Sequence, residues 1–296
     1  MPSKRISARS GGALVALLLT SLALSGCEAS LDVNFASSTF GDADEVRLAL
    51  DGVDVLDEGS SEFELGSDAD DVVDALDYTG GDTLELVKSG PLDEGRYTGI
   101  RLRFADSGSA LYTSDGGVYP IDITSNYTYA DMDVELDQDE SDTRTIVFEP
   151  RFSLRPSTTA DGHYSMTPVI RVVHPDRAGS ISGTVDDDLV RSDTCRADRT
   201  VGTGVAVYAF TGANVTPQDY VSGEGGSPVA AADVQVSDDG DSFYYDFPLM
   251  AAGSYTLALT CNADVENPST NDGFVFLTQA SVVLDESESE TVNLAE

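Results

Sequence analysis

Tryptophan is absent from this chain of 296 residues, and histidine occurs only at His163 and His174. Lysine is nearly absent too, at Lys4 and Lys88 alone. With 16 Lys and Arg against 53 Asp and Glu, the formal charge is −37. Such a chain has too few cations to neutralise a phosphate backbone, so nonspecific nucleic-acid binding is excluded. There is no Cys-x-x-Cys among the three cysteines, which argues against thiolate metal sites. No Gly-x-Ser-x-Gly, phosphate-binding loop or dinucleotide fingerprint occurs. No apolar run reaches the roughly 20 residues that a membrane-spanning helix needs.

What is present begins at the N-terminus. Lys4, Arg5 and Arg9 precede an apolar stretch from Ala13 to Leu24, and small residues lead to Cys27. This order predicts a secretory signal over residues 1–26. Leu24-Ser25-Gly26-Cys27 resembles the lipobox of bacterial lipoproteins, which implies cleavage before Cys27 and acylation of its thiol. Residues 27–30 would then form the lipid-anchored N-terminus. Glu28 stands where aspartate favours inner-membrane retention in enteric lipoproteins, so that likeness implies the outer membrane.

Cleavage removes three basic residues and no acidic one, taking the net charge from −37 to −40. Anionic headgroups would repel such a surface, leaving the acyl chains as the anchor. Acidic runs on strands serve mainly as a solvated face; scarce lysine with abundant aspartate resembles proteins of halophilic bacteria. Cys195 and Cys261 remain as an even pair in an oxidising compartment, which predicts a disulfide.

Period-two alternation dominates the remainder. Met132, Val134 and Leu136 share one parity while Asp131, Asp133, Glu135 and Asp137 take the other. Ile100, Leu102 and Phe104 alternate with Arg101 and Arg103. Val46, Leu48 and Leu50 give way to Val53 and Val55 after Asp51-Gly52, a phase slip that predicts a bulge or turn. Asp70 to Leu76 is the one helix-like stretch. Proline and glycine at His174-Pro175-Asp176-Arg177-Ala178-Gly179 predict a boundary, giving domains at 31–175 and 179–296. Phe243, Tyr245 and Phe247 share a face in the second, as do Tyr255, Leu257, Leu259 and Cys261. The polar stretch from Asp186 to Thr200 reads as a long loop carrying Cys195. Gly95-Arg96-Tyr97 and Gly253-Ser254-Tyr255 each enter a strand in the manner of a tyrosine corner. The fold class is all-β, with two tandem β-sandwiches of immunoglobulin-like or prealbumin-like type.

The first domain resembles a bacterial family known as domain of unknown function 4382. The likeness rests on Leu31-Asp32-Val33, Asp44 to Leu48, Gly95 to Leu102, Pro168 to Val172 and Gly179 to Val185. It implies a secreted or lipid-anchored protein and carries no catalytic residues with it. The second domain is similar to prealbumin-like and carboxypeptidase-regulatory-like sandwiches, through Ile181 to Val185 and Ala252 to Thr256.

Nucleophilic catalysis needs a base beside the nucleophile, and both histidines read as exposed loop residues: His163 lies in a hairpin turn and His174 in the linker. Asp68, Asp70 and Asp71, then Asp137, Asp139 and Asp142, then Asp238, Asp239 and Asp241 are weak candidates for calcium, and no other cofactor is expected. Tyr127, Tyr129 and Tyr244 are candidates for a sugar platform. These features point to a lipid-anchored, non-catalytic binding or structural module of the bacterial envelope, with a protein or glycan partner. Two alternatives stand beside it: a carboxylate-based glycan hydrolase and a calcium-binding surface module. A pocket with two close carboxylates of raised pKa would favour the hydrolase.

Overall fold

A computed structural model describes residues 28–41, 43–68, 72–196, 204–221, 226–237 and 239–295. The leader 1–26 with Cys27, and Asp70, Asp71 and Asp238, lie outside the described residues. Strand accounts for 53% of the chain, and no described helix exceeds four residues. No helix among the described residues is long and apolar enough to cross a membrane.

The first thirteen strands are β1 (Ala29–Ser37), β2 (Glu45–Asp57), β3 (Glu62–Gly66), β4 (Val72–Asp74), β5 (Leu84–Leu92), β6 (Gly95–Phe104) and β7 (Ala110–Tyr112), then β8 (Val118–Ile123), β9 (Tyr127–Leu136), β10 (Ser141–Phe148), β11 (Leu154–Pro156), β12 (Tyr164–Met166) and β13 (Ile170–Val173). They make a four-stranded sheet, β13-β10-β1-β5, and a nine-stranded one, β11-β12-β8-β7-β2-β6-β9, with β3 and β4 also paired to β2. Strand β1 runs parallel to β10 and antiparallel to β5. The alternating residues meet as expected: Val46, Leu48, Ile100, Leu102, Phe104, Val134 and Leu136 join Leu31, Val33 and Phe35 in one buried core. Burial of apolar surface of this kind contributes about 25 cal/mol per Å² removed from water.

The phase slip at Asp51-Gly52 is a bulge, where the β2–β6 register shifts between Leu50 and Gly52. Gly52 has φ 135°, and a Cβ there would lie 2.8 Å from Arg103 Nη2, so only glycine suits it. The expected helix near Asp70 to Leu76 is not formed. Val72 and Val73 pair with β2 as a strand, and only Ala75–Tyr78 coils, as one 3₁₀ turn. The β-branched valines favour the sheet, and the Asp74 carboxylate caps the turn by accepting from Leu76 N at 3.1 Å.

A 3₁₀ turn at Pro175–Arg177 leads into eight further strands. These are β14 (Gly179–Val185), β15 (Ala206–Thr211), β16 (Ala230–Asp233), β17 (Gln235–Val236), β18 (Phe243–Met250), β19 (Gly253–Thr260), β20 (Phe276–Leu284) and β21 (Ser289–Thr291). They form two four-stranded sheets, β17-β18-β14-β21 and β16-β15-β19-β20, over a second core that includes Ile181, Val207, Phe243, Tyr245, Phe247, Leu257 and Leu259. Gly183 permits a close approach that a side chain would block: its Cβ would fall 1.8 Å from the Val292 carbonyl oxygen. That same carbonyl accepts from the Tyr245 hydroxyl at 2.6 Å.

The segment read as a loop after Asp186 is more ordered than its polarity suggests. Two one-turn helices, Asp187–Val190 and Asp193–Arg196, bury Leu189 and Val190. Cys195 and Cys261 are bonded, both buried, across a sequence separation of 66. On a chain-entropy argument a loop of that size stabilises the fold by about 4 kcal/mol. Both tyrosine corners are present. Tyr97 Oη donates to the Asp93 carbonyl at 3.0 Å, and Tyr255 Oη to the Ala251 carbonyl at 2.7 Å.

Candidate functional site

The acidic stretches picked out in the sequence serve turns and ion pairs. Asp137, Asp139 and Asp142 surround the β9–β10 turn, where Asp139 has φ 66°. Asp137 N donates to Glu140 Oε2 at 3.0 Å, and Asp142 binds the Arg144 guanidinium with His174 Nε2 3.6 Å away. Asp239 shapes the β17–β18 turn by accepting from the Ser237 hydroxyl and from Asp241 N. Asp68 accepts from Lys88 N at 2.9 Å. His163 is paired with Asp122 at 3.0 Å. Two of the three candidate tyrosines are also engaged, and Tyr244 is exposed on β18. Arg101 lies over the Tyr127 ring at 4.6 Å, and Tyr129 covers Gly99, whose Cβ would fall inside its ring edge at 2.2 Å.

The densest buried chemistry lies instead where the first pair of sheets meets the second. Glu149 follows the end of strand β10 and precedes the short turn Pro150–Ser153. Glu149 is fully buried, and its Oε1 accepts from Arg171 Nε at 2.8 Å. Arg171 reaches onward to the carbonyls of Pro248 and Leu249, at the end of β18. Burial pushes the Glu149 carboxyl upward, and the Arg171 charge opposes the shift.

Two residues on, Arg151 is only 3% exposed. It donates to the Ala263 carbonyl at 2.7 Å and to Asp233 Oδ1, and it stacks over the Phe40 ring at 4.8 Å. Asp233 returns the contact: its Oδ2 accepts from Gly41 N, and its own N–H donates to Thr39 Oγ1 at 2.9 Å. Phe152 stacks on Tyr220 at 4.3 Å and meets Tyr208 edge-on at 5.4 Å. The junction is therefore a buried apolar cluster, threaded by two arginines whose partners lie across it.

Behind that cluster lie three carboxylates. Tyr208 Oη donates to Glu266 Oε2 at 2.7 Å. Glu266 and Asp219 are 6% and 5% exposed, and Asp272 joins them at the surface, with one oxygen from each lying within 4.8 Å of the others. No other trio of His, Cys, Asp or Glu among the described residues is close enough to share an ion. Burial pushes Glu266 up to about 8; the Tyr208 hydrogen bond and Arg151 oppose it, while Asp219 and Asp272 add to it. Burial also raises Asp219. Hydrogen bonds from the backbone N–H groups of Asp272 and Tyr220, and one with Glu266, oppose that rise.

Sequence reading missed this group because its members lie 53 residues apart. The one local signal was the oxygen-rich run Glu266-Asn267-Pro268-Ser269-Thr270-Asn271-Asp272-Gly273.

These two close carboxylates meet the pKa criterion set for a hydrolase but not its geometry. The cavity beside Glu266 measures about 40 Å³, against roughly 300–1,000 Å³ for ligand pockets. The larger concavity, about 560 Å³ and open, is elsewhere, lined by Tyr119, Tyr164, His163, Asp115 and Asp161.

No curated protein matches the sequence. Among solved structures, the fimbrial anchor protein Mfa2 from Porphyromonas gingivalis is similar at 10% identity and TM-score 0.20, over 87% of this chain and 99% of that one. The major pilin subunit BcpA of Bacillus cereus is similar at 10% identity and TM-score 0.20, over 91% and 100%. A leucine-rich repeat protein from Bacteroides thetaiotaomicron is similar at 10% identity and TM-score 0.20; 90% of this chain spans 26% of that one. Overlaps this slight carry no weight for its role, and the fold rests on its own strand pairing. The sequence comparison is firmer and covers most of the segment expected at 31–175. Residues 28–168 match the model of the family described as a domain of unknown function, DUF4382.

Proposed function

We propose that this chain is a lipid-anchored envelope protein whose two β-sandwich domains, 31–175 and 179–296, act as one rigid, non-catalytic binding or structural module. The observation that carries the reading is the junction. Glu149, Arg151, Arg171 and Asp233 spend their charges on packing the halves together, and the small cavity there leaves no room for a substrate. A module of this kind binds through its outer faces and loops, without perturbed groups at a reaction centre.

The anchor follows from Cys27. Only Glu28 separates it from β1, so an acyl chain there holds the first sandwich against the bilayer with almost no tether. Outer-membrane placement rests on Glu28, and the partner is an envelope protein or a glycan.

Cell fractionation tests the anchor. Cys27→Ser is expected to move the protein out of the membrane fraction, and a variant that stays membrane-bound without lipid overturns that part. The purified protein is then offered envelope extracts, and separately a panel of glycosides, esters and peptides. Saturable binding without product is expected. Turnover that vanishes on replacing a single carboxylate, with folding intact, would overturn the non-catalytic reading.

A further inference from the structure

We propose that the outer edge of β20 is a docking site for an extended strand of a protein partner, uncharged at its centre and flanked by Lys or Arg. The inference rests on the protein-partner reading above and names that partner's chemistry.

An edge strand turns the backbone N–H and C=O of alternate residues outward, a template that another strand can join. Proteins guard such edges with charge, with proline or by keeping them short. Among the described strands the other sheet ends are guarded in these ways. β9 is long but carries Asp131, Asp133 and Glu135, and β5 carries Glu85, Lys88 and Pro91. β13 holds Arg171, β16 ends in Asp233, β21 holds Glu290 and β11 ends in Pro156. β17 spans only Gln235–Val236. β20 departs from this pattern. It has 9 residues, none charged and none proline, in a chain with 53 acids. Its register with β19 is unbroken from Thr278 to Leu284, so no bulge turns that run away. β19 is its one strand neighbour among the described residues.

Two features select the occupant. The first is that the C-terminal segment of the chain is committed elsewhere. Val292 N and Leu294 N donate to the Ser182 and Thr184 carbonyls of β14, and Thr278 meets that segment through its hydroxyl, which donates to the Ala295 carbonyl at 2.7 Å. The second is charge. The neutral run lies between acidic ends: Asp272 precedes it, and Asp285, Glu286, Glu288 and Glu290 follow. A second copy laid along the edge, parallel or antiparallel, sets acidic end on acidic end and brings together two chains of charge −37. A guest strand with cations at both ends meets those carboxylates instead, and its neutral centre lies against a neutral edge. In this mode main-chain hydrogen bonds carry the affinity, and side chains on alternate residues tune it. Gln279, Ser281 and Val283 are the exposed positions, with Val283 61% exposed, so the guest packs there on small and β-branched neighbours.

The test uses the full chain in mild detergent and a fluorescein-labelled peptide. Its core is about seven alternating Thr and Val residues, enough to follow Thr278–Leu284 at roughly 3.4 Å per residue, with Lys-Arg at each end. Anisotropy is expected to show saturable binding of one peptide per chain. The same core flanked by Glu should bind about tenfold more weakly at low salt. A Lys-Arg-flanked control with Pro in place of each Val keeps the charge but cannot form the ladder, and it should also lose about tenfold or more. Amide hydrogen exchange should slow about tenfold or more across Thr278–Leu284 in the complex and stay unchanged in β9. Gln279→Lys with Val283→Lys places the usual guard on exposed positions. It should weaken the peptide about tenfold while the thermal midpoint stays near that of the parent. Gln279→Lys alone serves if the double variant misfolds.

Equal binding of the proline control, or binding without protection of β20, would overturn the site and leave only cations adsorbed to an acidic surface. Protection of the same amides by protein concentration alone, with a dimer in sedimentation, would overturn the occupant in favour of a second copy. An envelope protein that binds the parent and the double Lys variant equally would remove β20 as the site while leaving the module reading intact. Turnover without such binding would remove that reading instead.

Discussion

The outer face of the first sandwich and the junction are built from the same ingredients, arginine against carboxylate, yet they are different physical objects. On the outer face Arg96 meets Asp133 at 2.8 Å and Glu58 at 3.3 Å, Arg101 meets Glu62 at 2.7 Å, and Arg103 meets Glu64 at 2.6 Å. Water reaches one or both partners of each of these pairs. At the junction Arg151 and Glu149 are 3% and 0% exposed. The difference teaches that a count of ion pairs says little about what holds this protein together. An exposed pair gains little, because water and salt already screen each charge. A buried pair has lost its water, so its partners become indispensable without the pair itself being a large net gain.

The largest effect expected from this comparison is at Arg151. Arg151→Ala should lower unfolding stability by about 3–5 kcal/mol, because Asp233 is left charged beneath an apolar cluster. Urea unfolding measures it. The double change Arg151→Met with Asp233→Asn should recover much of the loss, since it removes both charges, fills the space and keeps an acceptor for Gly41 N. If Arg151→Ala is tolerated as a surface change would be, the junction is not the close-packed unit described.

A middle-sized effect compares the two sandwiches with each other through their tyrosine corners. Tyr97→Phe and Tyr255→Phe each remove one hydrogen bond and little packing, so each should cost about 1 kcal/mol. The corners lie in separate cores, so the double variant should cost close to the sum. The same unfolding curves check this. A double variant far worse than the sum would mean that the two corners are energetically coupled across the junction.

What was legible in the sequence, and what was not, follows from range. Met132, Val134 and Leu136 announced their own face, and Asp51-Gly52 its own bulge, because a strand's period and a glycine's φ are local properties. The tyrosine corners were legible for the same reason, since the bond spans four residues. Val72-Val73 was misread as helix because two residues carry no usable period, and pairing with β2 settles their state. The junction was invisible. Glu149 and Arg151 flank a proline within an apolar run, which marks them as unusual, but Asp233 lies 82 residues beyond Arg151. The carboxylate trio was hidden likewise, among 53 acids of which most sit in turns or in water. Abundance masked the few that are buried close together.

The smallest effect sharpens the comparison from the other side. Arg96→Gln removes a cation that touches two carboxylates at hydrogen-bonding distance, as Arg151 does, but its side chain is 48% exposed and its partners more so. Neither carboxylate is desolvated by the change, so no buried charge is stranded. What remains is long-range: the chain already carries a net charge of −37, and losing a cation adds slightly to that self-repulsion. Salt shortens the reach of such repulsion from about 10 Å at 0.1 M to about 3 Å at 1 M. The parent's thermal midpoint should therefore rise from low to molar NaCl. Arg96→Gln should show a small deficit at low salt that closes at high salt. The Arg151→Ala deficit should persist in molar NaCl, because its origin is lost hydration and lost partners rather than screened attraction. Thermal scans of the three proteins across NaCl concentrations decide it. If salt restores Arg151→Ala as fully as Arg96→Gln, the junction is wetter than its burial indicates, and the two regions differ only in degree.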